Sequence, residues 1–543
     1  MTTSPGVAAT DRAPDPVHST VGLTAVTVLS RATGFVRTIV LVAVVGTSYL
    51  GNTYQLANTV PNLLFELFAA GALQAVLIPH LVRTRRRAGD EAASDVAGVV
   101  LGGLLVLLGA VALVGMAAAP LIMRVLSAGV DDPAVREDQI ALGTVLLWLF
   151  LPQLVMYAVG LVATALLNAH HRFLVPLLAP VVNNVVVIAA YGLFWLARDG
   201  EAPSLDLTPL QIALLGGGTT LGVIAFTLVP VVAVRRMGLR LRPRFVRRSP
   251  VLRGLAREGA WAGAYIAGTQ GLLLVMLVLS NAEAGATVAV QLALTFFLLP
   301  HALFAVPSAI TLFPALAARA DAAEWAAFAR QLRQGVQVIV VVGLGTGVAL
   351  AALAYPITRV ALFGQAGPDS VPSVARAVVA FAPGLVGYGL FQLLTRASYA
   401  QGDARTPAVV NGVIVAAGAV AMVVVATLAH GSALPAALAA VHSAVYLVAA
   451  GVLLVRVWAA IPGRRHLGVG PTLAGAALAA AAAGVLMAGI VAAVDPQLRM
   501  ESLVVTVVAG GLGAVVYLGL IRATTGIGPA ALFAPGRVPV RVH

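Results

Sequence analysis

Residues 21–46 read VGLTAVTVLSRATGFVRTIVLVAVVG. A helix needs about 20 residues to cross the roughly 30 Å hydrocarbon core of a bilayer, and this apolar run is long enough. It also carries Arg31 and Arg37 in its interior. Each guanidinium at mid-bilayer costs about 2.5–3.5 kcal/mol on insertion scales, so such residues face a bundle interior or a wet cavity. The stretch therefore predicts a membrane helix and a polar hollow beside it.

The rest of the chain agrees with the membrane reading. Its 543 residues are 60% hydrophobic and 10% charged, with a mean hydropathy of +0.97. Soluble domains carry about 45–50% apolar and about 25% charged residues, so a soluble enzyme is excluded. Cysteine is absent, which removes disulfides, thiolate metal sites and cysteine nucleophiles together. The 34 basic residues, all Arg, give a formal net charge of +13. In a membrane protein that surplus is read first as loop retention and contact with anionic lipid, not as a nucleic-acid surface.

Apolar runs near 21–46, 54–81, 96–123, 141–167, 173–197, 209–234, 259–281, 287–317, 335–358, 374–398, 408–430, 433–456, 471–494 and 502–521 predict fourteen transmembrane helices. The first twenty residues are too mixed for a signal peptide, so the first run stays in the mature protein. Arginines stay in the cytoplasm. The loop after helix 2 holds Arg83, Arg85, Arg86 and Arg87. The loop after helix 6 holds Arg235, Arg236, Arg240, Arg242, Arg244, Arg247, Arg248, Arg253 and Arg257. Loops after helices 8, 10 and 12 add Arg319, Arg330, Arg333, Arg396, Arg405, Arg456, Arg464 and Arg465. The loop after helix 3 instead carries Asp131, Asp132, Glu137 and Asp138, and that after helix 5 carries Asp199, Glu201 and Asp206. The alternation predicts both termini in the cytoplasm.

The sequence also repeats weakly. Pro152, Leu154, Val155 and Tyr157, with Pro176 beyond them, match Pro383, Leu385, Val386, Tyr388 and Pro407 at an offset of 231 residues. PNLLF from Pro61 and PHALF from Pro300 match at 239. Both offsets are six helices, and an even number preserves orientation, which predicts a parallel repeat with a central site. The expected architecture is an all-α polytopic membrane protein in two six-helix lobes with two C-terminal helices. Its parts are a cytoplasmic tail at 1–20, an N-lobe at 21–234, a basic loop at 235–258, a C-lobe at 259–457, helices 13–14 at 471–522 and a tail at 523–543.

Within the spans, Glu66 joins Arg31 and Arg37 as the third ionisable residue of the first two helices. The two arginines are six residues apart, about 9 Å along the axis and about 120° in rotation. If Glu66 quenches one of them, one cation remains, and guanidinium suits phosphate through its fork of donors. Ser30 beside Arg31, with Asn52 just before helix 2 and Asn62 within it, are further candidates for substrate contact. Asn52, Asn62, Asn183, Asn184 and Asn411 also suit interhelical hydrogen bonding. No metal or cofactor site is read from the chain.

SRATGFVR (Ser30 to Arg37) followed by NTYQLANTVPNLLFELFAAGALQAVLIP (Asn52 to Pro79) resembles the MurJ (MviN) family of lipid II flippases. LLNAHHRFLVPLLAPVVNN (Leu166 to Asn184), LLPHALFAVPSAITLFPALAAR (Leu298 to Arg319) and SYAQGDARTP (Ser398 to Pro407) resemble further blocks of that family in order, and FELFAAG with Glu66 is similar to its actinobacterial branch. The resemblance implies a fold of the MOP exporter superfamily with a V-shaped central cavity. It implies a substrate too, lipid II, the undecaprenyl-diphosphate-linked disaccharide-pentapeptide of peptidoglycan synthesis, moved from the inner to the outer leaflet of the plasma membrane. Arg31 and Arg37 match the two helix-1 arginines of the family's cationic cavity. Membrane lipids and cell-wall synthesis proteins are the partners it implies. This chain departs from other members, which have Asp at Asn52, Arg at Phe65 and a helix-8 Arg at Thr295. Some relatives bind sodium through a helix-7 carboxylate, and here no Asp or Glu stands between Gly259 and Asn281.

The expected mechanism is alternating access. No Walker A loop is present; export of an anion from a negative interior is favoured by about 2.3 kcal/mol per charge per 100 mV. The alternatives in the same superfamily are a flippase for another polyprenyl-diphosphate-linked glycan and a cation-coupled drug exporter, the latter disfavoured by two cations against one anion. A membrane glycosyltransferase would need external acidic residues, and only the short loop with Asp131, Asp132, Glu137 and Asp138 offers them, so no enzyme is expected.

Overall fold

The structure is a computed structural model, and it describes the backbone of residues 16–67, 71–246, 249–302, 306–367, 370–463 and 467–525. The expected N-terminal tail up to residue 15, Arg247, Arg248, Arg464, Arg465 and the tail beyond 525 lie outside the described residues.

The first group of helices comprises α1 (Pro16–Val45), α2 (Tyr49–Phe65), α3 (Gly71–Ala117), α4 (Ala119–Leu126), α5 (Pro133–Phe150), α6 (Gln153–Ala169), α7 (Leu174–Ala197), α8 (Pro209–Ile212) and α9 (Gly218–Arg236). The second comprises α10 (Pro250–Ser280), α11 (Ala286–Pro300), α12 (Val306–Asp321), α13 (Trp325–Ala352), α14 (Ala354–Ala361), α15 (Val371–Phe381), α16 (Gly384–Ala400), α17 (Arg405–Ala426) and α18 (Leu434–Ala459). Two more, α19 (Gly470–Val494) and α20 (Arg499–Thr525), pair with each other and lean on α13 and α14. No strand occurs among the described residues. Helices are the only open-ended elements that satisfy every backbone group in lipid, and the chain is a multi-pass membrane protein.

Among the described residues, eleven helices are long and apolar enough to cross a membrane, or twelve if α15 and α16, bent by 43° at Ala382–Pro383, form one span. The expected fourteen is not reached by this measure because α2 has 17 residues and α11 has 15. Pro61 lies inside the first and Pro300 ends the second, and a π-helical turn follows each, at 66–67 and 301–302. The segment holding Arg83, Arg85, Arg86 and Arg87, expected as a loop, is helical. The chain turns at Gly89, whose φ of 86° is open to glycine. Similarly α1 begins at Pro16, inside the expected tail.

Packing supports a repeat but shifts its register. The Phe65 ring meets Tyr157 at 4.9 Å, and His301 meets Tyr388 at 4.6 Å. A Cβ built on Gly34 would lie 3.5 Å from Asn184, and one on Gly268 would lie 2.9 Å from Asn411. The tyrosines keep the 231-residue offset, but Phe65 corresponds to His301, as Gln55 corresponds to Gln291, at 236. The PNLLF/PHALF match is therefore three residues out: the two prolines fall in different turns of equivalent helices.

The two groups are stitched together at the end away from the Arg-rich segments. Gln365 N–H donates to Ala43 O (2.8 Å), Tyr49 Oη to Ala282 O (3.2 Å), and Asn281 Nδ2 to Leu126 O (3.2 Å); Thr47 and Ser370 share a short hydrogen bond. Gly285 (φ 73°) and Gly364 (φ 66°) let backbones touch there, since a Cβ on either would collide with Thr47 or Ala43. Farther in, Gln291 Nε2 reaches Thr59 Oγ1 at 3.4 Å. Beyond that pair the residues from Asn62 to Glu66 are exposed or half-buried.

The basic connection after α9 is laid along α3. Arg244 N–H donates to Gly98 O (2.9 Å), and its guanidinium pairs with Asp95 (2.9 Å). Gly98 and Gly102 leave room for the carbonyls of Arg242 and Arg244. Gly102→Leu is expected to lift this segment, because overpacking costs about 1–3 kcal/mol. Limited trypsin digestion at Arg240 and Arg244 should then quicken about tenfold. Gly109→Leu, which meets open space, should leave digestion unchanged.

Candidate substrate cavity

The cavity starts from how α1 is held. α7 lies against α1 beside Gly34, and Asn184 Nδ2 donates to Thr33 Oγ1 at 3.0 Å. Arg37, three residues on, is thereby directed into the first group of helices. It lines a cavity of about 220 Å³ with Gln55, Asn58 and Asn62 of α2, Tyr157 of α6 and Asn183 of α7. Tyr157 Oη donates to Asn62 Oδ1 (2.9 Å). At the wall, the Tyr54 hydroxyl shares hydrogen bonds with Tyr191 (2.7 Å) and Thr219 (2.8 Å). Asn183 Oδ1 is buried without a hydrogen-bond partner. The cavity is below the about 300–1,000 Å³ of drug-sized pockets.

The electrostatics are lopsided. The ion pairs among the described residues join His170 to Asp90, Arg198 to Glu201, Arg244 to Asp95 and Arg319 to Glu324. None involves Arg31, Arg37 or Glu66. Glu66 is half-buried at the π-helical turn ending α2 and does not quench either arginine. The Arg37 charge instead acts on the phenols of Tyr54, Tyr157 and Tyr191. A guanidinium offers five N–H donors and no acceptor, so this pocket can receive an anion.

Arg31 points elsewhere, as its 120° rotation from Arg37 requires. It is exposed and shares a face with Phe35 one turn on, whose ring meets Phe296 of α11 edge-on at 5.3 Å. Arg31 thus sits on the side of α1 that faces the second group. Its charge reaches His301 on the far side. Ser30 is half-buried and is not among the residues lining the Arg37 cavity.

Asn52 lies outside that cavity. It is fully buried, its Nδ2 donates to Glu283 O (2.8 Å), and its Oδ1 accepts from Thr287 N–H (3.2 Å). Both ends of the amide are used in the seam. Asn411 bonds across helices to Tyr265 O (2.8 Å); Asn183 does not. Asp132, one of the external acids, caps α5 by accepting from Ala134 N–H (2.9 Å). The reading of the sequence missed Gln55, Asn58, Tyr54 and Tyr191. The first two had a signal: with Asn62 they recur at helical spacing on one face of an otherwise apolar helix.

Comparison with known proteins places this geometry in a family. The family model described as "Lipid II flippase MurJ" matches residues 41–509. A protein of Rhizobium meliloti (strain 1021) described as "Probable lipid II flippase MurJ" is 27% identical over 395 residues, 71% of each chain. The "Lipid II flippase MurJ" of Burkholderia cenocepacia is 26% identical over 393 residues, 70% of this chain and 72% of that one. Among solved structures, "Lipid II flippase MurJ, inward closed conformation" superposes with a TM-score of 0.72 at 17% identity, covering 93% of this chain and 99% of that one. An inward-facing MATE multidrug transporter of the MOP superfamily superposes with a TM-score of 0.65 at 12% identity, covering 81% and 98%. These two likenesses speak to fold alone. Matched along most of its length by the family model, the chain belongs to the MurJ family of lipid II flippases.

Proposed function

We propose that this chain carries lipid II from the cytoplasmic to the outer leaflet by alternating access. The family is one of transporters, not enzymes. The observation that carries the proposal is the pair of α1 guanidiniums without a carboxylate partner among the described residues, one in a polar cavity and one on the side of α1 that faces the second group. Arg31 and Arg37 offset the desolvation of the diphosphate, and Asn62, Ser30 and the polar face of α2 offer contacts to it and the sugars. The polyprenyl tail stays in lipid. The seam on the Arg-poor end fits a state open toward the cytoplasm, with the basic segments and both termini inside and anionic lipid against the basic loop. The bodies that rock are the lobes at 21–234 and 259–457, and the membrane potential acts on the headgroup's charge.

A second reading shares the same chemistry: another polyprenyl-diphosphate glycan would also find two guanidiniums. Reconstitution into liposomes with labelled lipid II and with other lipid-linked sugars separates the two. Lipid II should cross fastest. Equal rates for all the lipid-linked sugars would assign a broader glycan carrier, and no translocation would remove both readings.

A further inference from the structure

His301 is 6% exposed, and neither ring nitrogen has a hydrogen-bond partner among the described residues. A neutral imidazole carries one N–H donor and one acceptor, and leaving them buried and unpaired is expensive enough that each such case calls for a reason. Packing is not that reason. The same seat in the first group of helices is filled by Phe65, which makes the equivalent ring contact with Tyr157 at 4.9 Å without any polar atom to satisfy. His301 makes that contact with Tyr388 at 4.6 Å and adds a donor.

Its place in the fold suggests what the donor is for. His301 lies in the π-helical turn that follows Pro300, one turn inward from Phe296, and Phe296 packs on Phe35 of α1 across the groups. Arg31 is one turn inward from Phe35, and its charge reaches His301. Such π-turns recur at functional sites. On the α16 side, Gln392 lies beside the ring but outside hydrogen-bond geometry, and Tyr388 presents its ring. His442 of α18 lies deeper, against Phe297, Phe381 and Tyr446. No carboxylate of the described residues pairs with His301.

We infer that His301 is the second lobe's hydrogen-bond donor to the lipid-borne diphosphate, facing Arg31 so that the headgroup is gripped from both lobes. This rests on the diphosphate-carrier reading above. One group on each lobe also gives the ligand a means of drawing the lobes together, because the grip is complete only when both are in reach.

The test titrates purified full-length protein with undecaprenyl diphosphate, and with undecaprenol as a probe lacking phosphate. His301→Phe keeps a ring in a seat that Phe65 shows a phenyl can fill. It should weaken diphosphate binding about tenfold or more and leave undecaprenol binding and the melting temperature unchanged. His301→Asn, which restores a donor, should recover most of the loss. Wild-type affinity in His301→Phe, beside a clear loss in Arg37→Ala, overturns this inference alone. Equal loss of both probes, or no recovery in His301→Asn, overturns it in favour of packing. Wild-type protein indifferent to undecaprenyl diphosphate removes the carrier reading and the inference together.

Discussion

Arg37→Ala is expected to abolish rescue of a flippase-depleted strain while the protein still inserts and folds. The guanidinium has no ion-pair partner among the described residues, so its removal orphans no buried acid. It also removes a charge whose placement in a span costs about 2.5–3.5 kcal/mol, so the melting temperature should hold or rise. Binding should move the other way. Hydrogen bonds to charged groups contribute about 1.5–3 kcal/mol each, so losing even two weakens diphosphate affinity by more than about a hundredfold. Arg37→Lys keeps the charge without the fork and should fall between the two. Growth, membrane level and thermal stability measured side by side decide the matter; wild-type growth of the alanine variant ends the cationic-cavity argument.

Gly285→Val is expected to unseal the Arg-poor end. The residue has a φ of 73°, and a Cβ there runs into the Thr47 backbone. Left-handed backbone costs a residue with a side chain about 1–2 kcal/mol, and the collision adds about 1–3 kcal/mol. The collision exists only while the seam is shut, so it shifts the population toward the open state by tenfold or more. Because the chain has no cysteine, a single Asn58→Cys reports on the cavity without background. An impermeant maleimide added outside should label it about tenfold faster in the Gly285→Val background. Asn52→Leu, which deletes two seam hydrogen bonds, should act in the same direction and Gly271→Ala, in open space, should do nothing. Unchanged labelling in both seam variants would mean that these contacts do not hold the end shut.

Much of this was legible in the sequence because bilayer crossing imposes a long apolar run, and such runs need no partner to be recognised. The two guanidiniums of α1 stood out for the same reason: an arginine inside one of those runs demands an explanation. What escaped depended on distant partners. Asn52 reads as a polar residue near a cavity until Thr287 and Glu283, on the other group of helices, occupy both ends of its amide. Arg83 to Arg87 read as a loop because charge resembles solvent exposure in a linear chain, whereas the helix continues to Gly89. The repeat could be seen but not registered. Proline-centred apolar words align in several ways, and only the Phe65 and His301 ring contacts decide among them.

The stitched end has a consequence for the cell that goes beyond moving cargo. A polar hollow holding Arg37 is hazardous in an energised bilayer, since protons and small ions would follow water through any full-length opening. Backbone touching backbone at Gly285 and Gly364, with Asn52 locked between helices, closes off that water wire at the Arg-poor end. A molecule sealed in this way is a plug, and proteoliposomes made without any polyprenyl-linked sugar should keep a pH gradient as long as protein-free vesicles do.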